Sequence, residues 1–279
     1  MIESAEETAE GPAIEPEDGG PSWLRVLPAL FGGFLLVLWE AAVTVLDVPR
    51  YVLPPPSAIA GAMWTHGPGL LNAALTTLWL AVLAFGLAVT GGIGLAVLFA
   101  QSRLLERALY PYAVILQVTP IVAIAPLIVI WVGIDRPRLA ILMLAFIVAF
   151  FPVLANTLTG LRSVDPNLQA LFQLYRANRW QVLWRLRLPN ALPYMLAGMK
   201  IAGGLSLIAV VTAEFVAGSG GSGGLAWRIM EAANRLEVPR MFAALVLLSL
   251  LGIGIYLALS ALERRLLAGW HESTLDGLE

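Results

Sequence analysis

An all-α membrane protein of about six transmembrane helices is the fold class this sequence predicts, and three observations predict it. Of the 279 residues, 59% are hydrophobic and only 13% are charged, and a mean hydropathy of +0.81 lies well above that of soluble domains. Apolar stretches long enough to cross a hydrocarbon core of about 30 Å recur along the chain. The arginines between them are biased toward alternate connections, as the positive-inside rule requires of a multi-pass chain.

The expected spans are Trp23 to Leu46, Leu70 to Phe99, Leu109 to Ile134, Leu139 to Leu158, Leu192 to Val216 and Met241 to Leu262. Pro49, Pro54, Pro55 and Pro56 separate the first two, because proline blocks helix continuation and favours an extended or turn conformation. Between the fifth and sixth, Gly218 to Gly224 contain five glycines and suit a flexible or sharply turning loop outside the hydrocarbon. Residues 1–21 hold seven acidic residues and no basic ones, which predicts a disordered acidic tail. A membrane domain over 22–270 and a short C-terminal tail over 271–279 complete the division. A cleavable signal peptide starts with positive charge, so the first apolar stretch is expected to be retained.

Several function classes are disfavoured by composition. The seventeen basic residues are dispersed and the net charge is −2, which leaves no broad basic surface for nucleic acid. With no cysteine there is no disulfide framework and no thiolate metal site. His66 and His271 are far apart and read as interfacial or loop residues, and no metal site is expected. A phosphate-binding loop needs Gly-Lys-Ser or Gly-Lys-Thr, yet the only lysine is Lys200, between Met199 and Ile201. The chain is therefore not a Walker-type ATPase, and the run Ser219 to Gly224 reads as a loop. No acid/base cluster or nucleophile pair supports catalysis, so no catalytic residue is assigned and an enzyme is not expected.

With the N-terminus in the cytoplasm, ten arginines fall inside and six outside, which places both termini inside. Half of the inside charge comes from one connection, Arg162 to Pro193, the longest internal polar stretch. Asp165 followed by Pro166 is a helix start: the carboxylate accepts orphan amide hydrogens, and proline at the first helical position loses no needed donor. Leu168, Leu171, Phe172 and Tyr175 recur at helical spacing, as do Trp180, Leu183, Trp184 and Leu188. Two short amphipathic helices joined near Arg176 to Arg179 are expected. They serve either as interfacial helices on anionic lipid or as a docking element for a cytosolic partner.

Here the sequence resembles the inner-membrane permease subunits of bacterial ATP-binding-cassette importers, in the branch of sulfonate/taurine, nitrate/bicarbonate and thiamine-precursor or riboflavin systems. The resemblance rests on YVLPPPSAI before the second span, TLTGLRSVDP entering the loop, RANRWQVLWRLRLPNALPYMLAGMKIA through it and AEFVAG after the fifth span. It implies a type I importer permease fold in the inner membrane, with the loop of about 162–189 inserting a coupling helix into an ATPase. The implied partners are cytosolic ATPase subunits carrying ATP and Mg, a solute-binding protein, a second permease copy and the lipid bilayer; the chain itself needs no cofactor. The family's loop motif is Glu-Ala-Ala, a glycine four residues later and a closing Leu-Pro. The last falls on Leu188 and Pro189, the glycine position on Arg176, and Glu-Ala-Ala on Ala170, Leu171 and Phe172. The usual glycine turn must then be made by Arg176 with Ala177 and Asn178, and docking rests on Tyr175, Arg179 and Trp180.

Charges inside the bilayer default to functional readings. Lys200 is read as snorkelling to headgroups, Glu40 as interfacial or paired within the bundle, and Glu214 either as a cap on a pathway mouth or as a hydrogen-bond partner of the glycine loop. Gly86, Thr90 and Gly94, and again Gly198, Ala202 and Ser206, have the small-residue spacing of helix packing faces. Gln117, Thr119, Asn156, Thr157, Thr212 and Glu214 are the candidate pathway residues, with Pro120 and Pro126 expected to kink the third span. The competing reading is a secondary transporter, which wants a buried proton or sodium site where this chain offers isolated acids. Substrate candidates are a sulfonate, nitrate or bicarbonate, or a vitamin-like heterocycle.

Overall fold

The structure, a computed structural model, describes residues 26–217 and 223–268. The two tails, His271 and most of the glycine loop lie outside the described residues. What is described is helical: α1 (Leu27–Val45), α2 (Pro56–Gln101), α3 (Arg103–Val118), α4 (Ile121–Val132), α5 (Pro137–Arg162), α6 (Pro166–Leu174), α7 (Arg179–Val182), a π-helical turn (Leu183–Arg187), α8 (Leu188–Ala217), α9 (Leu225–Asn234) and α10 (Val238–Leu267).

Five helices are long and apolar enough to cross a membrane, and α3 with α4 makes a sixth if the bent pair is one span. This pair replaces the single kinked third span expected from the sequence. Its axis turns by 105°, with Thr119 and Pro120 both extended. Proline pushes its predecessor out of the helical region and has no N–H to continue the ladder. Pro126, which was expected to add to the kink, sits inside α4 without breaking it.

α2 also differs from expectation. It begins at Pro56 rather than near Leu70 and runs for 46 residues, roughly 69 Å at 1.5 Å per residue. The proline cluster that ends the first span is therefore the start signal of the second, with Pro56 in the first helical turn.

The core lies where α2, α5 and α8 pack together. Ala84, Ala140, Leu144, Ala145, Val210 and Ala213 form its centre, and close approach is set by small residues. A Cβ on Gly198 would come within 2.8 Å of Asn156 Cβ, and one on Gly92 within 2.9 Å of Val153 Cβ, so α8 and α2 each need glycine where they cross α5. The expected packing face Gly86, Thr90 and Gly94 is instead exposed, and nothing lies within 4 Å of a Cβ built on either glycine. The packed face of α2 is the neighbouring stripe of Ala81, Ala84, Ala88, Gly92 and Ala96. α1 is peripheral, with only Val43 buried, and it is fastened by Trp39 against Phe242 at 6.1 Å.

Candidate functional site

The segment after α5 folds as its local signals dictate. Asp165 Oδ1 accepts from the Asn167 amide at 2.7 Å and starts α6. The helix ends in a Schellman turn: the Arg176 amide donates to the Gln173 carbonyl at 2.9 Å and the Ala177 amide to the Phe172 carbonyl at 3.0 Å. The residue that must turn left-handed is Arg176, with φ +52°. Asn178 does not share that bend. It caps α7 in a reciprocal box, accepting from the Gln181 amide and donating its own amide to Gln181 Oε1, both at 2.8 Å.

The second loop helix is not separate, as the sequence suggested, because α7, the π turn and α8 form one helix from Arg179 to Ala217. The π turn lies just before Pro189, where the Leu188 amide reaches the Leu183 carbonyl five residues back. Proline has no N–H for the carbonyl four residues earlier, and the wider turn accommodates that gap. Leu183 and Leu186 anchor the segment, with Leu183 packing among Phe99, Leu158 and Leu161.

Opposite that anchor the surface is apolar and uncovered. No residue of α6 is buried. Leu174 and Tyr175 are each 80% exposed and Trp180 is 62% exposed, with Leu171 and Trp184 beside them. A cleft of about 370 Å³ opens here between Leu171, Tyr175, Gln181 and Arg185. Exposed aromatic rings next to arginines are the composition of an interface core.

The candidate pathway residues fall in three places. Gln117 is exposed on the last turn of α3, and Thr119 lies at the break, its hydroxyl donating to the Ile115 carbonyl at 2.7 Å. On α5, Asn156 donates to the Pro152 carbonyl at 2.8 Å, while Thr157 is fully buried with no partner for its hydroxyl. On α8, Thr212 donates to the Ile208 carbonyl at 2.8 Å. Glu214 is separated from all of these in its bonding.

Glu214 is fully buried. One carboxylate oxygen accepts from Thr77 Oγ1 at 3.0 Å, and the other accepts from the Ala226 amide at 3.1 Å. Thr77 in turn accepts from the Leu225 amide at 2.9 Å. The first two amides of α9, which have no partner within that helix, are thus satisfied by side chains from α8 and α2. A Cβ on Gly224 would overlap this carboxylate. Glu40 plays the same part elsewhere, accepting from the Ser57 amide at 2.9 Å and the Ser57 hydroxyl at 2.7 Å in the first turn of α2. Lys200, read as snorkelling, pairs with Glu263 of α10 at 2.8 Å and lies 5.1 Å from the Tyr256 ring centre.

Sequence reasoning missed α9 and the charge cluster around it. Glu231 bonds Arg228 at 2.8 Å, Arg235 at 3.1 Å and Arg240 at 3.5 Å, and Arg240 also holds Glu237 at 2.8 Å. The Arg228 guanidinium, with the other arginines behind it, holds the Glu231 carboxyl below the usual carboxylate range, and Arg240 does the same to Glu237. Glu231 spaced four before Arg235 and three after Arg228 was a helical-pair signal that could have found it. Among the described residues no group of acids and histidines has metal-binding geometry.

An all-helical bundle with a broken apolar helix pair, an uncovered helical segment leading into a long span and few intramembrane charges defines a multi-pass membrane protein. A family profile described as "Binding-protein-dependent transport system inner membrane component" matches residues 88–268. The chain belongs to this family, and it is the permease subunit of an ATP-binding-cassette importer of small solutes. It is 36% identical to a riboflavin transport system permease protein of Chloroflexus aurantiacus over 86% of this chain and 88% of that one. It is 33% identical to a formylaminopyrimidine transport permease protein of Halalkalibacterium halodurans, over 88% and 96%. A taurine transport system permease protein of Escherichia coli is 31% identical, over 85% and 86%. Among solved structures, an amino acid ABC transporter chain shares the fold with a TM-score of 0.61 at 18% identity, covering 73% of this chain and 96% of that chain.

Proposed function

We propose that this permease docks a cytosolic ATPase through α6 and the turn into α7, and that Tyr175, Arg176, Ala177, Asn178, Arg179 and Trp180 form the contact. The observation that carries this reading is the uncovered apolar and aromatic surface on a rigidly capped segment. Leu188 and Pro189 stand where the segment becomes the long span. From Arg179 to Ala217 that helix has 39 residues, roughly 58 Å, so a displacement at the docking end is carried to Glu214 and through its cap to α9. ATP and Mg bind on the ATPase, and hydrolysis there drives the movement. The docking end faces the cytoplasm of a bacterium with both chain termini inside, in agreement with the arginine bias, and α9 faces the solute-binding protein. A second copy of the chain completes the pathway, to which Gln117, Thr119, Asn156, Thr157 and Thr212 contribute.

For the cargo, a neutral heterocycle of the flavin or pyrimidine class is favoured over a sulfonate, nitrate or bicarbonate. The flavin and pyrimidine relatives are 36% and 33% identical, and the one lysine of the described spans is neutralised by Glu263. Proteoliposomes holding the permease, its ATPase and its solute-binding protein test both parts. ATP-dependent uptake of labelled riboflavin or a pyrimidine, lost on Trp180→Ala, is expected. Uptake of taurine alone sinks the cargo assignment, and undiminished ATPase binding after deletion of 175–180 sinks the docking assignment.

A further inference from the structure

A second cavity, of about 500 Å³, lies at the docking end but on the other side of α6, and nothing in the transport reading uses it. It forms where the last turn of α2, the first turn of α3, the last turn of α5 and the π turn converge. Its charged lining is Arg103, Arg107, Arg162 and Arg187 against the single carboxylate of Glu106. Glu106 is already engaged by Arg162. Arg187 donates to the Ala100 carbonyl at 3.2 Å and leaves its Nε buried without a partner. Among the described residues, Arg103, Arg107 and Arg187 enter no salt bridge. Three uncompensated guanidiniums around one cavity repel one another, and an anion between them removes that repulsion.

We propose that this cavity binds the phosphodiester headgroup of an anionic phospholipid. Guanidinium forks match phosphate oxygens bidentately. Basic pockets between spanning helices at the cytoplasmic surface are a recurrent solution for such headgroups. The location agrees, because α2 and α5 both end at the cavity and so put it at headgroup depth. Phe99 and Leu161 give it an apolar wall, and Leu104 and Leu105 stand exposed beside Arg103 for acyl chains to follow. An acidic surface of the ATPase is the weaker occupant. α6 turns Gln169 toward this cavity, whereas Leu171 and Tyr175 line the cleft on its other side. The lipid thus sits between the bilayer and the coupling segment. This placement rests on the docking reading only for which bilayer surface is meant.

The test uses the full-length permease, delipidated in detergent and titrated with dioctanoyl phosphatidylglycerol, dioctanoyl phosphatidylcholine or glycerol 3-phosphate, with binding read by native mass spectrometry. Phosphatidylglycerol is expected to bind about tenfold tighter than phosphatidylcholine. Arg103→Gln with Arg107→Gln is expected to weaken it about tenfold or more, each surface arginine being worth roughly fivefold. Both arginines are exposed, so folding is preserved, and Arg50→Gln, at the opposite end, leaves binding unchanged. Equal binding of the two lipids, or a double variant within twofold of the native chain, overturns the proposal. Glycerol 3-phosphate binding as tightly as the lipid at the same arginines would make it a free-phosphate site instead. Co-purification with the ATPase is measured on the same variants. Its loss with lipid binding intact reassigns these arginines to the partner and also overturns the proposal, whereas its retention with lipid binding lost supports it.

Discussion

The two ends of this molecule solve the same problem in opposite ways. At both ends helices begin and leave amides without intrahelical partners. At the α9 end those amides are met from within: Glu214 and Thr77 close the start of α9, Glu40 closes the start of α2, and Glu231 gathers three arginines. At the α6 end the caps are local, Asp165 and Asn178 serving their own helices, and the aromatic side chains remain uncovered. One end is internally satisfied and the other leaves apolar and aromatic side chains uncovered, which is where the proposed partner would bind. A mutation at the first should therefore cost stability, and one at the second should cost binding.

The largest expected effect is at Glu214. Glu214→Ala strands the Thr77 hydroxyl and the Ala226 amide in a buried site, and should destabilise the protein by about 3 kcal/mol, given roughly 1–3 kcal/mol per buried unsatisfied group. Gly224→Ala should do comparable damage, because its methyl overlaps the same carboxylate. Thermal unfolding in detergent measures both, and a melting temperature unchanged in either variant breaks the comparison. Next comes Tyr175→Ala with Trp180→Ala. Loss of two exposed anchors should weaken ATPase binding by about 2 kcal/mol or more, near thirtyfold, with no change in melting temperature.

Smaller effects sharpen the contrast. Arg176→Gly should stabilise the α6 turn by about 1 kcal/mol, since a left-handed conformation costs a non-glycine residue about that much, while Asn178→Ala should cost about 1 kcal/mol of cap. Hydrogen exchange at the Arg176, Ala177 and Gln181 amides reads both, slower in the first variant and faster in the second. The smallest effect is the response to acid. Glu231 has a lowered pKa in the folded state, so its stabilisation is present above the unfolded value of about 4.3 and is lost as the pH falls through the lower folded value. Exchange in α9 should quicken below about pH 4, and Glu231→Gln should flatten that limb; identical acid profiles would show that the arginine cluster contributes nothing there.

Much of the segment after α5 was legible because its signals are local. Asp165–Pro166 announced α6, and a turn over Arg176, Ala177 and Asn178 was expected from the family's glycine position, but which of the three turns left-handed was settled only by the structure, in favour of Arg176. The continuity of α7 with α8 was not legible, since proline removes a donor from the helix ladder and only a π turn reconciles Pro189 with an unbroken helix. Nor was the true packing face of α2: the stripe containing Gly92 and that containing Gly86 both carry small residues, and periodicity does not say which meets α5.

By itself the sequence determined that the chain crosses a membrane about six times, where most spans lie, and where a polar helical segment interrupts them. These properties depend on apolar length, proline position and capping within a few residues, so they are written locally. Only the tertiary structure decided that the kink expected at Pro120 is a full break of 105° between two helices, and what the carboxylates of the apolar helices do. Glu214 meets Thr77 across 137 positions of chain, and Glu40 meets Ser57 across 17. No local pattern encodes such partners, because they are selected by which helix ends the packed bundle brings within hydrogen-bond reach.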